Sequence, residues 1–190
     1  GDDHPATMQC MSSMGVLLAS LGRLAEAEPF TRGAMEMRRR ELGDGHPRTL
    51  GSINNMGSLL HSQGKLAEAE PYYREALETR RRVLGDEHPD TLSSINNIGA
   101  LVQAQGRLDD AERYYVEALE TRRRVLGDQH PDTLTSISNM AILLSLQNRL
   151  SEAEPYDREA LQGRRRVLGE NHPRTIASVA NLEIGRASCR

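Results

Sequence analysis

Tryptophan is absent from this sequence, phenylalanine occurs once and tyrosine five times, so aromatics make up 3% of 190 residues. A core without large rings has to be aliphatic and built in thin layers from the plentiful Leu, Ile, Val and Ala. Cysteine is scarce as well: Cys10 and Cys189 are too few for a disulfide framework or a four-ligand zinc site. No uninterrupted run of about 18 apolar residues occurs, which excludes a membrane-spanning helix. Neither sign of charge dominates. A net charge of −3 and a pI near 6.1 argue against a dedicated nucleic-acid binder. The length suits one domain, two at most, and 27% charged against 37% hydrophobic residues describes a soluble chain.

What the sequence does have is repetition, which decides every later inference. GDDHP at Gly1, GDGHP at Gly43, GDEHP at Gly85, GDQHP at Gly127 and GENHP at Gly169 recur every 42 residues without slippage. The repeats are residues 1–42, 43–84, 85–126 and 127–168, with a partial fifth over 169–182. Each reads as two helices. In the second repeat Pro47 suits a first helical position, with His46 before it as cap. Leu50, Ile53, Met56, Gly57 and Leu60 then form one apolar stripe. A second stripe runs through Leu66, Ala69, Tyr73, Ala76, Leu77 and Leu84, and Gly85 ends it. The spacing predicts helix A over Pro47 to Gln63 and helix B over Leu66 to Leu84. Columns agree between repeats: Leu24, Leu66, Leu108 and Leu150; Ala27, Ala69, Ala111 and Ala153; and the small residues Gly15, Gly57, Gly99 and Ala141, where helix A must approach helix B closely. A lone amphipathic pair cannot bury its stripe, whereas stacked pairs share a core. The predicted fold is therefore an all-α solenoid of antiparallel helix pairs.

Gly57, Ala69 twelve positions later, Tyr73 and Ala76 match the signature of the tetratricopeptide repeat, which the sequence resembles from Gly1 to Leu182. The 42-residue length, the GDxHP-x-T linker and the AEPYYREALETRRRVLG string resemble the kinesin-light-chain type. The resemblance implies a superhelical stack in which helix A lines the concave face. Departures stand at Thr31 and Asp157, which replace the aromatic of the Tyr73 column. Pro29, Pro71 and Pro155 fall inside helix B, where each removes a backbone hydrogen bond and is expected to bend the first turn; Arg113 replaces that proline in the third repeat. The amino-terminal coiled coil of kinesin light chains is not in this sequence, so the resemblance does not make it a motor subunit. Residues 183–190 match no repeat position. They resemble a translated sequencing adapter and are read as foreign to the array, in preference to a natural divergent end. Both ends look cut from a longer parent.

Three sets of residues invite a functional reading. His4, His46, His88, His130 and His172 recur once per repeat before a proline. Metal ligands have to converge to about 2 Å from one ion, so these histidines read as caps and no metal or cofactor is expected. Without a Ser/His/Asp grouping or a glycine-rich phosphate loop, the chain reads as non-enzymatic. The triplets Arg38 to Arg40, Arg80 to Arg82, Arg122 to Arg124 and Arg164 to Arg166 end each helix B, where positive charge is favoured. Glu36, Glu78 and Glu120 stand four residues before Arg40, Arg82 and Arg124, a favourable order. Projection puts Arg38, Arg80, Arg122 and Arg164 near the apolar stripe, their guanidiniums bonded to carboxylates or helix-end carbonyls. The third set lies opposite the core on helix A: Asn54, Asn55, Ser58, His61, Asn96, Asn97, Gln103, Ser138 and Asn139. Asn offers donors and acceptors together and is a mediocre helix former, so a ladder of it suits holding an extended peptide.

The expected function is a cytoplasmic protein-interaction scaffold that binds a protein or peptide in this groove. Nucleic acid and membrane are not expected partners. The alternatives are an anion or nucleic-acid scaffold using the arginine rows, or an accessory array of a larger enzyme or signalling protein.

Overall fold

The computed structural model describes the backbone of residues 5–188 and the side chains of residues 7–183. Among the described residues there are helices and no strands. The A helices are α1 (Pro5–Ser20), α3 (Pro47–Ser62), α5 (Pro89–Ala104), α7 (Pro131–Leu146) and α9 (Pro173–Ser188). The B helices are α2 (Leu24–Leu42), α4 (Leu66–Leu84), α6 (Leu108–Leu126) and α8 (Leu150–Leu168). The chain forms two compact units that meet in sequence within α5, one ending at Leu101 and the other starting at Val102. In the first, α1 packs on α2, α2 on α3 and α3 on α4; in the second, α6 packs on α7, α7 on α8 and α8 on α9. Connections of only a few residues between packed neighbours require the helices to run antiparallel.

Glycine and histidine mark the helix ends for stereochemical reasons. After α3 the chain turns through Gly64 at φ +76°. There the Lys65 N–H donates to the Leu60 carbonyl and the Gly64 N–H to the His61 carbonyl, both at 2.9 Å, which satisfies two orphan carbonyls. Asn148, at φ 61°, does the same duty after α7, as the side chain best suited to left-handed backbone after glycine. At the next helix start the His46 Nδ1 accepts from the Arg48 N–H at 3.1 Å. His88 and His130 repeat that bond at 3.1 Å and His172 at 3.2 Å. Each thus caps an otherwise unpaired helix N–H.

The cores are aliphatic, as composition requires. Leu50, Ile53, Met56, Leu60, Leu92, Ile95 and Leu101 are fully buried in the first unit, and Leu134, Ile137, Leu143 and Leu144 in the second. Burying a side chain of this size stabilises by about 1.5–3 kcal/mol. Tyr73 lies across Gly57 so closely that a Cβ built there would sit 3.0 Å from its ring. Where Asp157 replaces the tyrosine, its helix-A counterpart is Ala141 instead of glycine. Pro29, Pro71 and Pro155 sit within α2, α4 and α8, each of which is a single helix. Leu84, Leu126 and Leu168 are half-buried and Leu42 is exposed, so the last leucine of helix B covers the edge of the core and does not fill it. Helix α9 runs through Ser188, so helical backbone continues past residue 182.

Candidate functional site

Side chains at the ninth, twelfth, thirteenth, sixteenth and nineteenth places of each repeat form the polar sector of the A helices. In the first compact unit, Asn54, His61, Asn96 and Asn97 are half-buried, while Asn55 and Ser58 are exposed. The Asn97 Nδ2 on α5 donates to the Asn54 Oδ1 on α3 at 2.8 Å. That bond ties adjacent A helices together and fixes both amides. The His61 ring stands edge-on to Tyr73, with centroids 6.4 Å apart and an interplanar angle of 89°. Burial holds the His61 imidazole below its ordinary value. Burial pushes the Tyr73 phenol up, offset in part by its hydrogen bond with Ser58.

In the second unit Gln103 and Asn139 are half-buried, and the Gln103 Oε1 is shielded without a hydrogen-bond partner. Ser138 departs from expectation. It is buried, and its hydroxyl donates to the Leu134 carbonyl at 3.2 Å, so it offers no donor to the surface.

The first arginine of each triplet is buried, as projection indicated, and its partners include main-chain carbonyls and a serine hydroxyl that the sequence reading did not foresee. Arg80 Nη1 donates to Ser94 Oγ at 2.7 Å and to the Asp90 carbonyl at 3.1 Å. Arg122 Nη1 repeats this with Ser136 Oγ at 2.7 Å and the Asp132 carbonyl at 3.1 Å. Arg38 donates to Ser52, and Arg164 to Ser178 and the Leu134 carbonyl. All four thus donate to a serine hydroxyl fourteen residues ahead, on helix A of the next repeat, and Arg80, Arg122 and Arg164 also donate to main-chain carbonyls. Desolvation holds all four guanidiniums below their ordinary value. Arg38 also donates to Ser12 Oγ at 3.3 Å and Gln9 Oε1 at 3.5 Å. A cation thus lies behind the polar sector of α1, where sequence reading placed none.

The rest of the arginine rows is also engaged in structure. Arg39 bonds Asp44 and Glu75, Arg81 bonds Asp86, Arg123 bonds Asp128 and Glu159, and Arg165 bonds Glu170. Arg40, Arg82, Arg124 and Arg166 are exposed. With one member of each triplet buried and the next ion-paired, the triplets are inter-repeat fasteners before they are an anion surface. Glu28 is a second fastener: Arg32, Lys65 and Gln63 reach it at 3.0, 3.1 and 3.2 Å. Those bonds hold its carboxyl down at about 2. Sequence reading missed the serine column Ser52, Ser94, Ser136 and Ser178. Its signal was present, as a small hydroxyl kept at one place on an otherwise apolar stripe.

Two places in the Tyr73 column are altered. At Thr31 a small cleft opens, lined by Ser12, Val16, Thr31, Ala34, Ser52 and Asn55. Asp157 is buried, and desolvation pushes its carboxyl up against the opposing pull of Arg164. Among the described residues no cluster of His, Cys, Asp and Glu is placed to hold a metal ion, and no helix is long and apolar enough to cross a membrane.

Sequence profiles of the tetratricopeptide repeat match residues 48–124 and 91–166, and a second profile of that repeat matches residues 7–48. No curated protein matches the chain significantly. Among solved structures, BtubC (BKLC) from P. vanneervenii is similar at 23% identity and a TM-score of 0.82, over 97% of this chain and 73% of that one. A putative kinesin light chain from Podosopora anserina with nearly identical TPR-like repeats is similar at 20% identity and a TM-score of 0.80, over 98% of this chain and 88% of that one. A point variant of that protein gives 19% and 0.80 over the same shares.

Proposed function

The chain belongs to the tetratricopeptide repeat family, kinesin-light-chain-like in its 42-residue period and its fold, and from that premise we propose that it is a non-enzymatic scaffold holding an extended peptide along its A helices. Repeats of this family serve protein–protein interaction in general; the finer assignment is to the polar sector of the A helices. One observation carries it. The Asn97-to-Asn54 bond uses one Asn97 proton and one Asn54 lone pair, leaving the Asn54 amide N–H groups as donors and the Asn97 Oδ1 as acceptor. A donor and an acceptor fixed side by side match the alternating C=O and N–H of an extended backbone. Asn55, Ser58, His61 and Asn96 add the same chemistry in the first unit, and Gln103 and Asn139 offer it within the second, with Ser138 withdrawn from it. The site of action is the cytoplasm, and neither nucleic acid nor membrane is a partner.

The test is selection from a displayed peptide library, with the winners re-measured against an Asn54→Ala/Asn97→Ala double variant. Internal segments without a free carboxyl terminus are expected to win, and to bind the variant about 5- to 150-fold more weakly, since two hydrogen bonds of about 0.5–1.5 kcal/mol each are lost. Winners that all require a terminal carboxylate, or a variant of undiminished affinity, would remove this reading.

A further inference from the structure

Tyr73 shows where the thirty-first place of a repeat points. Its ring lies across Gly57, its phenol hydrogen-bonds Ser58, and its ring meets that of His61. Ser58 and His61 belong to the polar sector of the A helices, so a side chain at this place of helix B passes between the helices and ends at that sector. The fourth repeat puts a carboxylate there. Asp157 is 6% exposed, and the side chains around it offer no donor. Where Tyr73 finds Ser58, Asp157 has Ile142. The hydroxyls at the neighbouring places are spent on carbonyls of their own helices: Ser138 on Leu134 at 3.2 Å, Ser145 on Ala141 at 2.9 Å and Ser178 on Arg174 at 3.1 Å. Arg164 gives its terminal nitrogens to Ser178 and the Leu134 carbonyl and reaches Asp157 only through its field.

Asp157 is not needed as a counter-ion either. Arg38, Arg80 and Arg122 are buried in the same clamp with Thr31, Tyr73 and Tyr115 at this place. A buried carboxylate that accepts no hydrogen bond costs stability, and a cationic donor entering from the polar sector would offset that cost. The surface beside it suits the stem of such a donor. Val16 and Thr31 line one cleft in the first repeat, so at the same two places Ile142 borders Asp157. Ile142 and Leu146, one turn apart on α7, are 40% and 56% exposed. Their places hold Ser58 and Ser62 on α3 and Ala100 and Ala104 on α5. Ser58, Ser62 and Ala104 are exposed, although those repeats have another before and after them in the sequence. The exposure of Ile142 and Leu146 therefore belongs to their place on the helix and not to the end of the array. Lysine and arginine lay an aliphatic stem on apolar surface and carry the charge at its tip, and α7 has no basic residue to repel one.

We propose that Asp157 is a cation subsite for the bound peptide, taking the head of a lysine or arginine whose stem lies on Ile142 and Leu146. The subsite rests on the peptide reading above and adds to it the class of side chain that the second unit selects. The carboxylate supplies two acceptor oxygens, and bonds to them from an ammonium or guanidinium are charge-assisted.

Parallel selections from one displayed peptide library, on the wild type and on Asp157→Asn, test it. Wild-type winners should share a lysine or arginine at one position, and Asp157→Asn winners should not. A wild-type winner should bind Asp157→Asn about 10- to 150-fold more weakly, as the loss of a charge-assisted bond requires. Asp157→Thr, which places there the residue of the first repeat, should behave alike. Replacing the winner's basic residue by norleucine, which keeps the stem, should cost the same factor on the wild type and nothing further on Asp157→Asn. Circular dichroism should find the thermal midpoints of both variants no lower than that of the wild type, because the carboxylate holds no bond of its own. Winners without a shared basic residue, undiminished binding to Asp157→Asn, or a norleucine loss that persists in it would overturn the proposal. A lowered midpoint in both variants would mark Asp157 as a structural group and overturn it as well. The two readings fail apart: undiminished binding to the Asn54→Ala/Asn97→Ala variant removes the main-chain contact and leaves a peptide held at Asp157, and a selection that yields no binder removes both.

Discussion

Removing the Arg80 side chain tests the fastening of one repeat to the next. Arg80 is 6% exposed and reaches out of α4 to Ser94 Oγ and the Asp90 carbonyl on α5. Hydrogen bonds from a charged donor contribute about 1.5–3 kcal/mol. Arg80→Ala also leaves the Ser94 hydroxyl buried without that donor and a cavity where the stem lay, so the total loss is about 3–5 kcal/mol. Arg82, two residues on, is exposed, and its truncation should fall within about 0.5 kcal/mol. The charge itself is not the source of the stability: Arg80 Nε is buried without a partner, and burial works against the ionised form. Arg80→Met combined with Ser94→Ala, which removes both polar ends and keeps the stem's volume, should therefore recover most of the loss. Urea denaturation followed by circular dichroism reads all three. The Arg80→Ala midpoint should drop by about 1–2 M at an m of about 2–3 kcal/mol/M, with Arg82→Ala unmoved. Equal effects of Arg80→Ala and Arg82→Ala, or a double variant as unstable as Arg80→Ala, would refute the reasoning.

The Thr31 cleft, about 10 Å³, has no room for a ring, because the Thr31 backbone itself closes on Gly15; Thr31→Tyr should therefore cost about 1–3 kcal/mol through overpacking and lower the thermal midpoint, and a raised midpoint would show that α1 and α2 can part. Asp157→Tyr should gain nothing until Ala141→Gly is added, because a Cβ at the equivalent Gly57 would stand 3.0 Å from the Tyr73 ring; a gain without that second change would show that the helices can part. Acid should loosen the Glu28 fastener. Its folded pKa of about 2 lies below the ordinary 4.5, so its stabilisation is fully present above the unfolded value and is lost as pH falls from about 4.5 toward 2. The urea midpoint of Glu28→Gln should accordingly fall less steeply than that of the wild type over this interval, and parallel curves would contradict the assignment.

The helices were legible because their signals are local. Pro47 to Gln63 was expected for helix A and Pro47–Ser62 is observed; Leu66–Leu84 agrees at both ends. His46 and Gly64 act through bonds within a few residues, where spacing is informative. The arginine clamps were half legible. Helical projection placed Arg80 inward, but its acceptor belongs to the next repeat, and a serine on an apolar stripe reads as a flaw in the stripe until the neighbour is in place. Asn96 and Ser138 occupy one column and still differ in burial: the short Ser138 hydroxyl turns back to the Leu134 carbonyl of its own helix, which a column of polar residues does not disclose. The Asn97-to-Asn54 bond joins neighbouring columns of successive repeats, a diagonal that reading down single columns does not pair.

Binding through the peptide main chain is the central claim, and ester substitution tests it most directly. A selected peptide is compared by isothermal titration calorimetry with a series in which one backbone amide at a time is replaced by an ester, which deletes the N–H donor and keeps the side chains. One lost hydrogen bond of about 0.5–1.5 kcal/mol corresponds to a roughly 2- to 12-fold weaker affinity. That loss is predicted at the amide facing the Asn97 Oδ1, and the same ester should cost nothing further against Asn97→Ala. Undiminished affinity along the whole ester series, with the loss confined to side-chain truncations, would contradict the account.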